Sequence, residues 1–313
     1  MKNEKTKIEE KVTIYNTTNS KLPSSYITAI FIDGSEVWVG TSDGLAIYDS
    51  GRWISLENTP QGWISFITRI NDTIWVAARG NASGLWEYNG NEWRRYKPPE
   101  NFSESKLNMF KHSGDILIAK YDGKEYIWTI TDLMLLKFNV KNKTWEFAAD
   151  FMLHEDKPTD IEFCDDFIII STEYSGIFIY SAKSKSFVKR LREVPGYPAI
   201  FLYPVYDVEI RNDKVYLAHD GRVSVYSPLK DCNIILDKSR WQVVKSTVVD
   251  PLSKVNLSNS FIVGKYIIKG NKAFELNFSR IFKEKSHQTV AKMQNKTIWI
   301  GTWGNGLLRL LTS

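Results

Sequence analysis

A unit of about forty residues recurs along the 313-residue chain, and this limits the fold more than any other feature. A repeat of that size cannot bury its own apolar face and must stack against copies of itself. The clearest copies are "ITAIFIDGSEVWVGTSDGLAIYDSGRWISL" from Ile27 and "ISFITRINDTIWVAARGNASGLWEYNGNEWRRY" from Ile64. Each spells four short strands separated by polar or glycine turns. Weaker copies follow, and the last begins at "QTVAKMQNKTIWIGTWGNGLLRL". With the second strand as ruler, Trp38, Trp75, Trp128, Ile169, Tyr216, Ile267 and Trp299 occupy equivalent positions. Their mean spacing of about 43.5 residues is the length of one four-stranded sheet unit. The segments alternate apolar and polar at period two or run apolar for a few residues, which is strand behaviour and not helix behaviour.

The seventh copy spells three strands and stops, which would leave a row of unpaired backbone groups at a sheet edge. An orphan strand, "KVTIYN" (residues 11–16), stands ahead of the first copy and is expected beside Leu307 to Leu311. These readings predict an all-β fold: a seven-bladed β-propeller of four-stranded antiparallel blades, its ring closed by an N-terminal strand completing the last blade. A single propeller domain is expected over residues 11–313, preceded by a charged, disordered tail at 1–10. The repeated Trp positions 38, 75, 128 and 299 are expected in the core between blades.

Composition narrows the function classes. The 41 basic and 36 acidic residues are spread along the chain, and the net charge of +5 leaves no concentrated footprint for nucleic acid. The basic run "KSKSFVKRLR" (183–192) reads as a charged strand edge that resists edge-to-edge pairing. Cys164 and Cys232 lie far apart without metal-ligand spacing, and reduced, buried thiols are expected. No metal or cofactor is implied. "MKNEKTKIEE" lacks an apolar core and no long apolar run follows, so the expectation is a monomer without membrane insertion, cytoplasmic as given and extracytoplasmic if a signal peptide has been removed.

At "LPSSYITAIFIDGSEVWVGTSDGLAIYD" and "TIWIGTWGNGLLRL" the sequence resembles the two-component regulator propeller repeat. Leu22, Pro23, Ser24, Trp38, Gly40, Thr41, Gly44, Leu45, Tyr48 and Asp49 carry the pattern, as do Trp299, Gly301, Thr302, Gly306 and Leu307. The resemblance implies the propeller fold and, for many members, an extracytoplasmic sensing region set ahead of further domains and a kinase. The middle copies depart from it, "IWTITDLMLL" at Gly-Thr and "YIIKGNKAFEL" at Trp and Thr. One propeller's length of chain points away from a complete sensor kinase.

In such a fold the loops joining second to third strands share a face with the inter-blade loops. That face gathers Trp63, Arg79, Glu173, Tyr174, Tyr197, Tyr203, His219, Asp220, Trp303 and Asn305. Aromatic faces beside Asn, Asp and Arg can stack a sugar ring or grip a partner's loop, so the expected ligand is a protein or an oligosaccharide. The alternative is a lyase or hydrolase with a polar site at the channel mouth, in which His219 and a carboxylate such as Glu173 or Asp220 converge as acid and base. "GTSDG" matches G-x-S-x-G, yet a strand follows where a nucleophile elbow needs a helix, so Ser42 reads as a turn residue.

Overall fold

The computed structural model describes residues 12–99, 115–151, 156–194, 197–201, 204–219, 221–227, 240–249, 259–276, 281 and 288–311. They fall into two compact units, residues 1–95 with 247–313 and residues 96–246. Among the described residues, apart from one 3-10 turn at Gly80–Ala82, every element is a strand. The expected tail at 1–10 lies outside the described residues.

The first unit opens with β1 (Val12–Tyr15). One four-stranded sheet follows, β2 (Ile27–Asp33), β3 (Glu36–Thr41), β4 (Gly44–Asp49) and β5 (Arg52–Ile54), and then a second, β6 (Ile64–Ile70), β7 (Thr73–Ala78), β8 (Gly84–Tyr88) and β9 (Trp93–Tyr96). The second unit carries the sheet β10 (Ile118–Tyr121), β11 (Tyr126–Ile130), β12 (Met134–Asn139) and β13 (Thr144–Asp150). Next come the sheet β14 (Pro158–Cys164), β15 (Phe167–Thr172), β16 (Ile177–Ser181) and β17 (Ser186–Leu191), and a hairpin of β18 (Glu193–Val194) with β19 (Tyr197–Phe201). After it run β20 (Val205–Arg211), β21 (Lys214–His219), β22 (Arg222–Tyr226) and β23 (Trp241–Val249). The chain ends with β24 (Phe261–Val263), β25 (Tyr266–Lys269), β26 (Lys272–Leu276), β27 (Gln288–Gln294), β28 (Thr297–Thr302) and β29 (Leu307–Leu311).

The hairpins form where the sequence places its turn residues. Gly34, Asn71, Asp165, Asn212, Gly264 and Asn295 all open the tight turn between first and second strand, with φ between 50° and 58°. Gly, Asn and Asp adopt this left-handed conformation at least cost, and it matches the twist of the flanking strands. All seven ruler residues lie on second strands and are buried, Trp38, Trp75, Trp128 and Trp299 among them. They fill the layers between sheets: Trp38 and Leu45 pack with Ile64 and Ile67 in the first unit, and Trp128 and Ile130 with Ile161 and Ile168 in the second. Each such aliphatic side chain contributes about 1.5–3 kcal/mol on burial. The glycine of the repeat makes this close approach possible, since a Cβ on Gly40 would lie 2.7 Å from Ile64 Cγ2, and one on Gly301 at 2.7 Å from Ile27 Cγ2.

The orphan strand finds its place in the last sheet, whose order is β1-β29-β28-β27. The pairing is antiparallel, Val12 opposite Leu310 and Tyr15 opposite Leu307. Tyr15 then packs on Tyr48 and Trp53, its ring centroid 5.3 Å from each, and its hydroxyl donates to the Tyr48 hydroxyl at 3.2 Å. Burial and this hydrogen bond push the Tyr15 phenol up to about 12.

β20 to β23 form one antiparallel ladder and β24 to β26 another. One expectation is corrected. Cys164 is disulfide-bonded and not a reduced thiol; the sequence's other cysteine, Cys232, lies outside the described residues. Distance along the chain says nothing of distance between Cα atoms, and the latter decides whether a bridge forms.

Candidate functional site

The loops between second and third strands are built on one device. Thr41, Thr172 and Thr302, the last residues of their second strands, are buried and donate Oγ1 to the carbonyls of Gly44 (2.9 Å), Gly176 (3.1 Å) and Gly306 (2.7 Å). Thr131 braces the Met134 carbonyl in the same way at 3.3 Å, although its copy lacks the glycine before it. The residue after the second strand is tied by its backbone N–H to the segment leading into the first strand, whether or not a threonine precedes it: Ser42 to the Tyr26 carbonyl, Arg79 to that of Trp63 and Glu173 to that of Lys157, each at 2.9 Å. In the first unit a further pair joins neighbouring loops, from Gly44 N–H to the Gly62 carbonyl (2.8 Å) and from Gly306 N–H to that of Ser25 (2.9 Å). The backbone is thereby held, and the side chains at these two positions are free to vary.

In the first unit these positions bring three aromatic rings together. Trp303 follows its threonine brace, while Tyr26 and Trp63 precede the first strands of their sheets. The Trp303 ring lies 5.1 Å from Tyr26 at an interplanar angle of 77° and 5.4 Å from Trp63 at 47°. The Arg79 guanidinium sits 5.5 Å over the Trp63 ring. Ser42 occupies the equivalent position in the sheet β2–β5 with a short side chain, its hydroxyl donating to Ser24 Oγ at 2.9 Å. Tyr26 and Trp303 are 42% and 48% exposed, and Trp63 and Arg79 are half-buried, so a contiguous ring surface faces solvent.

In the second unit the pair at Glu173 and Lys157 is charged. Lys157 Nζ lies 3.6 Å from Glu173 Oε2. Tyr174 is exposed, and a hydrogen bond to Glu173, together with that carboxylate's charge, pushes its phenol up. Its backbone N–H donates to the buried Asp156 at 2.8 Å.

The structure therefore brings Trp63, Arg79 and Trp303 together, sets Glu173 beside Tyr174, and leaves Asn305 half-buried between two glycines of its loop. Tyr197 lies on β19, paired with Val194. Tyr203 and Asp220 lie outside the described residues. His219 is not a loop residue. It ends β21 opposite Val205, as Thr172 ends β15 opposite Pro158, so it fills the brace position and is buried, with Nε2 2.6 Å from Ser224 Oγ. Tyr26 escaped the sequence reading, although "SSYITAI" and "QGWISFI" align it with Trp63.

A second polar cluster lies on first strands of the second unit. Lys120 Nζ is 2.6 Å from Glu162 Oε2 and 3.7 Å from Asp160 Oδ1. Burial pulls the Lys120 ammonium down, but Asp160, Glu162 and Asp207 outweigh it and the net shift is upward. Among the described residues no group of three or more His, Cys, Asp or Glu could hold a metal ion, and no helix is long and apolar enough to cross a membrane.

Solved structures share this architecture at low identity. The extracellular domain of the hybrid two component system BT3049 from B. thetaiotaomicron is similar over 97% of this chain, with a TM-score of 0.62 and 15% identity. YCF48 bound to D1 peptide is similar over 96% of this chain and 97% of its own, with a TM-score of 0.61 and 12% identity. The WD40 beta propeller domain of Doa1 is similar over 92% and 93%, at 0.57 and 10%. The fold is a β-propeller. This chain spans 42% of the BT3049 domain's length. No family model matches the sequence, and no curated protein matches it. The resemblance to the two-component regulator repeat is thus met at the level of the propeller fold.

Proposed function

We propose that the chain is a seven-bladed propeller over residues 11–313, closed by β1, that binds a protein or oligosaccharide ligand on its loop face without catalysing a reaction. One observation carries the reading: the half-exposed row Tyr26, Trp303 and Trp63, with Arg79 over its end, set on loops whose backbone is already tied. Aromatic anchors on a preorganised frame lose little entropy on binding and dominate interface energetics. Similarity to an extracellular two component system domain and to a peptide-bound propeller supports a sensing or binding role. The buried position of His219 gives the lyase or hydrolase alternative no support.

The test is a pull-down paired with a glycan array, comparing the wild-type chain with Trp63→Ala plus Trp303→Ala. Partners or glycans retained by the wild type and lost by the variant support the face. Equal binding by both removes it.

A further inference from the structure

We propose that the outermost strand β17 and the turn before it form a docking stripe for an acidic polysaccharide. The inference does not rest on the loop face. The first reason is charge. Residues 183–192, "KSKSFVKRLR", hold five cations and no carboxylate, as much positive charge as the net +5 of the whole chain. Lys183, Lys185, Lys189, Arg190 and Arg192 are all exposed. Elsewhere Lys120, Lys137, Lys157 and Lys265 each reach a carboxylate. Among the described residues, none of the five cations of the stripe makes an ion pair. Burial, and after it the charge of Arg192, pulls the Arg190 guanidinium down against the opposite pull of Asp156. Like charges held side by side repel one another, and a bound polyanion relieves that repulsion.

The second reason is shape. β17 is the last strand of its sheet, in the order β14-β15-β16-β17, so its side chains stand along a free edge. From Lys185 to Arg192 the cations follow a line about 20 Å long, room for several sugar rings. Arg190 is already fixed in that line: its Nε donates to the Ser175 carbonyl at 3.1 Å, and its guanidinium lies 4.8 Å over the Phe178 ring. Other outermost strands have no such line. On β9, Arg94 pairs with Glu92 and Arg95 donates to the Ser83 carbonyl, while β13 carries Glu146 and Asp150.

The third reason selects the polymer. An acidic peptide would add to the edge by backbone pairing, but the ladder shifts between Phe187 and Lys189 and leaves Val188 with no opposite residue. Such a bulge turns an edge away from further pairing, so the occupant is held by side chains. Single-stranded nucleic acid needs open aromatic faces for its bases. Phe187 and Phe178 offer none, the first being stacked on Phe151 at 4.9 Å and the second covered by Arg190. A membrane surface needs apolar groups to insert, and Val188 is the one large apolar side chain exposed in the stripe. An acidic polysaccharide asks for none of these. Its carboxylates or sulfates recur along the chain, and lysine meets them as a point charge and arginine as a fork.

The experiment titrates a fluorescein-labelled heparin dodecasaccharide into the full chain, first at low salt and then at rising salt. The wild type is expected to bind saturably and to weaken as salt rises. Lys185→Gln, Lys189→Gln and Arg192→Gln together leave Arg190 in place on Phe178 and should weaken binding at least about tenfold. A control with the same loss of charge, Lys124→Gln, Lys141→Gln and Lys272→Gln, should stay within about twofold. All six residues are exposed, and thermal melts of both variants should match the wild type. Absence of heparin binding by the wild type overturns the proposal. Equal weakening in the two triple variants traces binding to net charge and also overturns it. Stronger displacement of the label by polyglutamate, by an oligothymidylate or by phosphatidylserine vesicles than by unlabelled heparin overturns the polysaccharide assignment. Heparin binding lost only in Trp63→Ala plus Trp303→Ala places the sugar on the loop face and overturns the assignment to β17.

Discussion

The two units use the same backbone device for opposite surfaces. A braced loop and the segment before the first strand meet through an equivalent 2.9 Å backbone hydrogen bond in each unit. In the first unit the paired positions read Ser42 with Tyr26 and Arg79 with Trp63, and Trp303 joins them; in the second they read Glu173 with Lys157. The contrast recurs on the first strands. Thr68, opposite Trp75, and Lys120, opposite Trp128, share one repeat position, yet Lys120 sits in a half-buried ion cluster with Asp160 and Glu162 and Thr68 does not. The frame is common to these copies, and the side chains set on it differ between the units.

The largest expected break in that comparison is at Lys120. Lys120→Met leaves Glu162 and Asp160 without their cation and should cost about 3–5 kcal/mol in denaturant unfolding. Thr68→Val at the matching position should stay within about 1 kcal/mol. A Lys120→Met protein as stable as wild type would show the cluster to be incidental.

The next is at the glycines after the braces. At Gly306, φ is +85° and a Cβ would fall 2.0 Å from the Tyr15 carbonyl; at Gly44, φ is +114° but the nearest atom is 3.5 Å away. Gly306→Ala should cost about 3 kcal/mol and Gly44→Ala about 1 kcal/mol. Equal losses would mean that β1 gives way without cost.

The aromatic and charged loop positions should then separate binding from stability. Removing Trp63 and Trp303 should cost at least about 1.4 kcal/mol of binding, a tenfold change. Lys157→Ala with Glu173→Ala should leave binding unchanged and alter stability by about 0–1 kcal/mol, as exposed pairs do. Binding lost in the second pair of substitutions would move the face to the other unit.

The smallest expected effect is on alkaline stability. The Tyr15 phenol stands at about 12 in the folded chain against 10.0 when free. The unfolded chain releases this proton first, so the stabilisation is whole below pH 10 and is lost as pH rises toward 12. The melting temperature should fall across that window less steeply in Tyr15→Phe than in wild type. Parallel slopes would show that Tyr15 does not sense β1 docking.

Much of this was legible beforehand. The Trp ruler, the hairpin turns and the partner of "KVTIYN" were all predicted, because each follows from local steric preferences or from an unpaired strand edge. The aromatic row was half legible: Trp63, Arg79 and Trp303 stand out by residue type, while Tyr26 does not although it shares Trp63's repeat position. His219 was misread because only strand register shows that it stands where other copies place a buried threonine. The disulfide at Cys164 lay beyond periodicity altogether.

Sequence by itself determined the strands, their turns and the repeat, since side-chain alternation and left-handed turn residues act over a few neighbouring positions. Tertiary structure decided which side chains from different copies meet. Trp303 touches Tyr26, and Lys120 meets Glu162, only after whole sheets have docked. Contacts across that distance in the chain are set by how apolar faces pack against each other, a property that no single copy possesses.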